Sequence, residues 1–243
     1  MIKKRTVKVK GEVELDSGFV MNFEEKLDFT IATKASKKPK IDGIIQDNEW
    51  ISGCVCADSI DNIEYVDSGL HKWGGTSDLS IDGAKFMWDE DNFYLMAIVN
   101  DDINVKTDTA SDLWSCDSIQ FTIEDEFNNV ANRFDYPFTE IGLSLLKTGP
   151  VVYRYSSQYA LSNGIVENCK IAVCREGEKL IYELEIPWTE LFKPDYKIDP
   201  SKIYGFAMIA NDNDGNDRWG WINYNEGIGR AKQVELFGKL RLN

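Results

Sequence analysis

Short apolar segments separated by turn residues run through most of this 243-residue chain, and they constrain its fold more than any other feature. Residues 84–88 and 93–99 are apolar runs on either side of the turn Asp89-Glu-Asp-Asn92, and residues 118–123 alternate apolar with polar side chains. No long segment has the 3.6-residue period of a helix, and the runs recur every 8–15 residues. The sequence therefore predicts an all-β protein, an antiparallel β-sandwich of the jelly-roll type.

The same pattern places the individual strands. Each predicted strand is a β-favouring segment bounded by turn residues, and only residues 187–192 have the composition of a short helical turn. The predicted strands are 7–15, 19–32, 84–88, 93–99, 118–123, 140–146, 151–155, 169–174, 180–186, 204–210, 219–222 and 236–242.

The N-terminal segment differs from the rest of the chain. Residues 7–15 alternate strictly between apolar and charged side chains, and a basic, polar connector begins at Lys34. We therefore predict a boundary there, with residues 1–33 forming an appended strand pair or the tail of a preceding domain. Residues 34–243 would then form the sandwich.

Composition limits the partners of the protein. The 41 acidic residues exceed the 27 basic ones, giving a formal net charge of −14. Such a charge disfavours binding to nucleic acids and anionic membranes, because the phosphates would be repelled. We find neither the apolar core of a signal peptide nor a run of 18 apolar residues, so no membrane span is expected. A monomer is expected.

Five cysteines are present, at positions 54, 56, 116, 169 and 174. Five is an odd number and no C-x-x-C pair occurs, while Cys54 and Cys56 on one strand would be too far apart for a disulfide. We interpret most of them as free, buried small residues.

Five short strings occur in a characteristic order. They are Lys40-Ile-Asp-Gly43 with Asp47-Asn-Glu-Trp50, Trp88 to Leu95 with Val99 to Asp102, Trp114 to Phe121, Tyr182 to Trp188, and Phe237 to Leu242 preceded by Trp221. In this order and spacing, residues 38–243 resemble the family 9 carbohydrate-binding modules, which accompany xylanases and other polysaccharide-active enzymes. The resemblance implies a β-sandwich with bound calcium that holds sugars, typically chain ends, between two tryptophans. It also implies secretion or display on the cell surface.

The resemblance assigns roles to individual residues. Trp114 matches the first sugar-stacking tryptophan, and Gln120 stands where the family has a glutamate that bonds sugar hydroxyls. Apolar C–H faces of pyranose rings stack on aromatic rings, and amides bond hydroxyls, so both residue types suit this chemistry. Polar family positions on the central strand are occupied here by Leu143 and Leu145.

The second stacking tryptophan is missing from its expected loop, residues 225–233. Trp219, Trp221 or Tyr224 would have to supply that ring from a shifted position. Trp73, in a glycine-rich loop, is a secondary candidate for sugar contact. The remaining family tryptophans, Trp50, Trp88 and Trp188, are expected in the core.

Calcium is the metal that the sequence favours. The segment Asn211-Asp-Asn-Asp-Gly-Asn-Asp217 is dense in hard oxygen donors, and it supplies the candidate ligands Asp212, Asp214, Asn216 and Asp217. Asp101-Asp102 and residues 89–91 are weaker signals of the same kind. A solvated Asx-rich turn is the alternative interpretation. Any such calcium would be structural.

Three other functions are weighed against sugar binding. Glu183 and Glu185 on one strand face, about 7 Å apart, would suit the acid and base of a glycosidase. His71 with Met87 or Met96 would suit a haem protein. A structural spacer or protein-interaction domain is the third alternative. We predict a non-catalytic module that targets a polysaccharide-degrading enzyme or a cell-surface protein to an oligo- or polysaccharide. Other domains of a longer chain are further candidate partners.

Overall fold

Fifteen β-strands make up most of the computed structural model, which describes residues 5–67, 71–125, 138–157, 159, 161–215, 217–230 and 232–243. The strands are β1 (Arg5–Glu14), β2 (Val20–Lys34), β3 (Val55–Ala57), β4 (Ile63–Tyr65), β5 (Leu79–Trp88), β6 (Asn92–Asp101), β7 (Ser118–Glu124), β8 (Thr139–Leu146), β9 (Gly149–Ser156), β10 (Gly164–Ile165), β11 (Lys170–Glu176), β12 (Lys179–Pro187), β13 (Ile203–Asn213), β14 (Arg218–Asn225) and β15 (Gly238–Leu242). The helical elements are one turn of α-helix, α1 (Trp188–Leu191), and 3₁₀ turns at Ile60–Asn62, Ala110–Ser115 and Val234–Leu236.

The strands form two layers that share β2. The first layer has the order β10-β9-β8-β7-β13-β15-β2, with β14 pairing β13 and β4 pairing β14. The second layer is β2-β5-β6-β12-β11, with β3 pairing β5. All pairings are antiparallel except those of β2 with β15 and β5, which are parallel. The all-β sandwich and the single helical turn after Pro187 are confirmed, whereas β3, β4 and β10 were not predicted.

Aromatic side chains fill the space between the layers. Phe86 and Phe93 of the second layer meet Phe121 and Phe206 of the first, with the Phe86 and Phe206 ring centroids 5.0 Å apart. These residues alternate with outward-facing ones, so each strand buries one face, as the period-2 pattern predicts. The expectation that Trp50, Trp88 and Trp188 lie in the core is confirmed.

Buried hydrogen bonds to Glu183 explain the first sequence motif. Its carboxylate accepts the backbone N–H groups of Asp42 at 3.0 Å and Gly43 at 2.7 Å, and the Nε1–H of Trp50 at 3.0 Å. Gly43 has φ of 79°, and a Cβ there would lie 2.2 Å from the Cys174 Sγ, so only glycine fits. A carboxylate that is saturated by hydrogen bonds and closed to solvent has no access to a substrate, which argues against Glu183 as a catalytic group. Glu185 is paired with Lys170.

The N-terminal hairpin is joined to the sandwich through β2. All ten residues of β1 pair with the first part of β2, while residues 29–34 of β2 pair with β15 and β5. Thr30 and Ala32 are buried, and the Thr30 hydroxyl bonds the Tyr224 hydroxyl at 2.9 Å. The division of the chain at residue 34 stays a prediction, but β2 crosses it without interruption.

The five cysteines are free in the structure, as predicted. Only Cys116 is buried, and the other four are half-exposed, so the expectation of burial holds for one of them. No described helix is both long enough and apolar enough to cross a lipid bilayer.

Candidate functional site

The candidate site is a cavity of about 310 Å³ on the outer face of the first layer, here called the Trp114 cavity. An aromatic ring, amide and hydroxyl groups, and charges of both signs border it. Its lining residues are Trp114, Gln120, Glu140, Tyr155, Ser156, Arg218, Gly229 and Lys232. A concave surface of this size with converging polar groups is typical of a small-ligand site.

A row of hydrogen-bonded polar side chains forms the floor of the Trp114 cavity. Gln120 donates through Nε2 to the Glu140 Oε1 at 2.6 Å and accepts from the Asn211 Nδ2 at 2.8 Å. Asn211 accepts from the Arg218 Nη1 at 2.8 Å, and Lys232 donates to the Glu140 Oε1 at 2.7 Å. The row runs across β8, β7, β13 and β14. Because each partner fixes the next, the floor is preorganised.

Trp114 stands at the edge of this floor on the 3₁₀ turn Ala110–Ser115. Its side chain is 46% exposed, although large aromatic rings are usually buried. Its backbone N–H donates to the Tyr155 hydroxyl at 3.0 Å, and the Arg218 guanidinium lies 5.3 Å from its ring centre. The turn therefore presents an indole to solvent in a fixed position beside polar groups.

Trp221 lies beneath the site and does not line the cavity. Its side chain is 1% exposed, Arg218 covers one face at 4.6 Å, and a Cβ on Gly229 would lie 2.1 Å from its Nε1. The family's second tryptophan was expected in the loop that contains residues 226–230. In this chain, Gly229 of that loop packs against the buried ring of Trp221. The expectation that Trp221 contacts the ligand directly is therefore corrected by its burial.

The other candidate aromatic residues also lie away from the Trp114 cavity. Tyr224 is buried in the core, so the expectation of sugar contact is not met there. Trp73 packs against the core and donates from Nε1 to the Leu79 carbonyl at 2.8 Å. Trp219 stacks on His71, with ring centres 4.7 Å apart, and lines a neighbouring cavity.

That neighbouring cavity, here called the His71 cavity, has a volume of about 360 Å³ and shares Arg218 with the Trp114 cavity. Its other lining residues are Val66, Asp67, His71, Asp214, Asp217 and Trp219. The His71 Nε2 pairs with the Asp214 Oδ2 at 2.8 Å. Met87 and Met96 pack with Trp50 in a separate cluster, so the histidine and methionine ligands of the haem alternative are not brought together.

Two groups of three aspartates lie near the sites. Asp101, Asp117 and Asp212 form a buried group, and Asp78, Asp102 and Asp214 form a more exposed one, each with oxygens within 4.8 Å of one another. Asp101 and Asp102 join different groups because consecutive side chains at a strand end point to opposite sides. A register shift between Asp212 and Asn213, one pair before the ladder of β13 and β14 ends, lies between Asp212 and Asp214.

The predicted calcium loop is thus divided between two groups. Asp212 and Asp214 belong to different groups, Asp217 lies in the His71 cavity and in neither group, and Asn216 lies outside the described residues. The other two members of the buried group are Asp101, at the end of β6, and Asp117, just before β7. The sequence indicated Asp101-Asp102 as a weaker signal, but it gave no indication of Asp117 or Asp78.

The buried group fits a hard cation. Burial raises the pKa of Asp101, Asp117 and Asp212; repulsion by Asp101 raises the pKa of Asp117 further, and repulsion by Asp117 and Asp101 raises that of Asp212. Asp117 accepts the Asn213 N–H at 2.9 Å, whereas both carboxylate oxygens of Asp212 have no hydrogen-bond partner among the described residues. Carboxylate oxygens that lie close together and lack hydrogen-bond donors are the type of ligand that calcium prefers.

Sequence reasoning missed six of the eight residues that line the Trp114 cavity: Glu140, Tyr155, Ser156, Arg218, Gly229 and Lys232. Glu140 is a diagonal neighbour of Gln120, which depends on the β7–β8 register. The available signal was the alternation of β8, in which Glu140 shares the outward face with Gly142 and Ser144. Leu143 lies on the opposite, core-facing side, and Leu145 packs against the core.

Comparison with known proteins places the chain in a family. The model of the "Carbohydrate family 9 binding domain-like" family matches residues 41–243. The chain therefore belongs to the family 9 carbohydrate-binding modules, a family of non-catalytic binding modules. Endo-1,4-beta-xylanase A of Thermotoga neapolitana is 24% identical over 219 residues, which are 87% of this chain and 18% of that enzyme.

Solved structures share the fold. A family 9 module from Caldicellulosiruptor kristjanssonii in complex with cellotriose superposes with a TM-score of 0.60 at 18% identity, covering 88% of this chain and 93% of that one. A carbohydrate-binding protein described as putative, from Bacteroides uniformis, has a TM-score of 0.55 at 9% identity, covering 88% of this chain and 99% of its own. At these identities the likeness supports the fold alone.

Proposed function

We propose that the Trp114 cavity binds a saccharide and that the module thereby holds an attached or associated enzyme on a polysaccharide. The observation that supports this best is the exposed indole of Trp114 next to the polar row of Gln120, Glu140 and Arg218. An apolar plate beside hydrogen-bonding groups matches a pyranose ring, whose C–H face is apolar and whose edge carries hydroxyls.

Each group has a defined part in this binding. Trp114 stacks on the sugar face, contributing about 1 kcal/mol beyond area burial. Glu140 accepts hydroxyl hydrogens, and Gln120 and the Tyr155 hydroxyl bond hydroxyl oxygens. Lys232 fixes the position of the Glu140 carboxylate by pairing with it. One aromatic plate instead of two favours modest affinity, with dissociation constants on the order of 10–1000 μM.

The name of a matched relative supports the proposed biological role. The chain spans 18% of the length of the matched xylanase, which is named for cleavage of β-1,4-xylan. We propose that this chain serves a comparable polysaccharide-degrading enzyme or a surface protein, outside the cell, where such polymers lie. Holding the enzyme on its polymer raises the local substrate concentration.

A panel of saccharides tests the proposal. Isothermal titration with cello-, xylo- and manno-oligosaccharides, together with pull-down on cellulose and xylan, is expected to reveal saturable binding of at least one glycan class. If no glycan binds at millimolar concentration, the structural-spacer alternative replaces the proposal.

We also propose that calcium occupies the buried group formed by Asp101, Asp117 and Asp212. When bound, the ion would neutralise three buried carboxylates and give a partner to the Asp212 oxygens and the Asp101 Oδ1, which have no hydrogen-bond partner among the described residues. Asp101 ends β6, Asp117 precedes β7 and Asp212 lies in β13, so the role is to tie three segments from the two layers together. Asp78, Asp102 and Asp214 form a more exposed candidate.

A further inference from the structure

The guanidinium of Arg218 borders the Trp114 cavity and makes no direct ion pair with a described carboxylate, although Glu140 attracts it from across the cavity. Among the ion pairs of the described residues, none includes Arg218. Its Nη1 donates to the neutral amide of Asn211, and its Nε is closed to solvent without a hydrogen-bond partner in the described chain. Burial lowers the pKa of Arg218 to about 10, which still leaves the side chain protonated at neutral pH.

Two indoles hold this guanidinium in place. Trp114 lies 5.3 Å from it and Trp221 lies 4.6 Å from it, so Arg218 sits between an exposed and a buried ring. Such stacking fixes the plane of the guanidinium and reduces the entropy lost when it binds a planar anion. A cation held this way suits bidentate recognition of a carboxylate.

The other charges of the cavity compensate each other. Lys232 pairs with Glu140 at 2.7 Å, and Glu140 also accepts from Gln120. Two cationic side chains and one anionic side chain therefore line the cavity, in a molecule whose formal net charge is −14. Because Lys232 forms an ion pair with Glu140, the remaining positive charge at the cavity is that of Arg218.

The side from which an anion would approach follows from the neighbouring cavity. Asp67, Asp214 and Asp217 line the His71 cavity on the other side of Arg218 and would repel a carboxylate there. On the Trp114 side, the anionic Glu140 is neutralised by Lys232. A ligand carboxylate is therefore received on the same side as the stacking ring.

From this geometry we infer that the Trp114 cavity prefers an acidic saccharide, a uronic acid residue within a glycan, over the neutral sugar of the same ring structure. The inference rests on the proposed sugar binding and names its ligand class. The sugar ring stacks on Trp114, while its carboxylate accepts hydrogen bonds from the Nη groups at the end of the Arg218 guanidinium. Charge-assisted hydrogen bonds stabilise more than neutral ones do, so the acidic sugar should bind about tenfold tighter.

Matched pairs of ligands test the inference. Titration calorimetry of the unmodified protein would compare xylotriose with glucuronosyl-xylotriose, and glucose with glucuronic acid, at about 20 mM and at about 500 mM salt. The expected result is a preference of about tenfold for the acidic member at low salt, which decreases at high salt. Arg218→Met should remove the preference, so that the acidic and the neutral member of each pair bind this variant with affinities within about threefold of each other.

Arg218→Lys gives a second variant in case Arg218→Met is unstable. It keeps the charge but loses the planar fork, so an intermediate preference is expected. Equal affinity for the acidic and neutral members in the unmodified protein would overturn the inference and leave the proposed function intact. Absence of binding by every ligand would overturn both.

Discussion

At the scale of single residues, Glu183 shows how one buried carboxylate organises a sequence motif. Three donors from the segment between Asp42 and Trp50 converge on it, and the second glutamate of the pair, Glu185, instead bonds the half-exposed end of Lys170. The two glutamates therefore differ in stability contribution, although they look equivalent in the sequence.

Glu183→Gln is expected to destabilise the protein. It replaces an acceptor oxygen by an NH₂ group facing buried N–H donors, which costs about 1–3 kcal/mol. Urea unfolding followed by tryptophan fluorescence measures the change. Glu185→Gln is the matched control, because it breaks an ion pair with an exposed lysine and should cost less than about 1 kcal/mol. Equal costs for the two variants would refute the assigned roles.

Trp114, Gln120 and Arg218 differ in how far the sequence could predict their place in the site. The strand alternation and the resemblance together predicted Trp114 and Gln120, and the structure places both in one cavity. Arg218 follows the Asx-rich turn and gave no signal of its own. Its position depends on its packing against Trp221 and on the close approach of Gly229 to that ring, neither of which strand alternation indicates.

At the scale of elements, β2 has two parts with different surroundings. Its first part pairs with β1 in a two-stranded ribbon, and Phe19 and Met21 near the tip are exposed. Its last part, from Phe29 to Lys34, joins both layers of the sandwich. The pattern of residues 19–32 predicted a strand, but local alternation carries no information on parallel partners more than 50 residues away.

Two truncations separate these parts. Deleting residues 1–18 removes β1 and is expected to change the unfolding free energy of the sandwich by less than about 1 kcal/mol, because an isolated ribbon contributes little. Deleting residues 1–34 removes buried Thr30 and Ala32 and two ladders, and should cost about 3 kcal/mol or more. Thermal melting of both variants measures the difference. An equally small effect of both deletions would contradict the role of β2.

At the scale of the whole molecule, part of the excess negative charge lies in the two groups of three aspartates. Their members come from segments as far apart as Asp78 and Asp214, so the sequence showed the segments 211–217 and 101–102 as separate clusters without indicating how they combine. The overall sandwich could be predicted, since alternation fixes which faces are buried. The grouping of carboxylates could not, since it depends on how loops at the strand ends meet.

Removal of calcium is expected to lower the melting temperature. A site saturated at about 100 times its dissociation constant contributes about 2.7 kcal/mol, which corresponds to about 5–10 °C for a domain of this size. Calorimetric scans with calcium and with a chelator measure the shift. Asp212→Asn should abolish it, whereas Asp82→Asn, at an exposed ion pair outside both groups, should retain it. Identical melting with and without calcium would exclude the proposed ion.

The central claim is that the exposed indole of Trp114 binds a sugar, and titration calorimetry of Trp114→Ala with the glycan that binds best tests it most directly. Because the ring is 46% exposed, the variant should melt within about 2 °C of the parent. Its affinity should decrease about tenfold or more, while Trp114→Phe, which keeps an aromatic plate, should retain most of it. Undiminished binding by Trp114→Ala would contradict the claim.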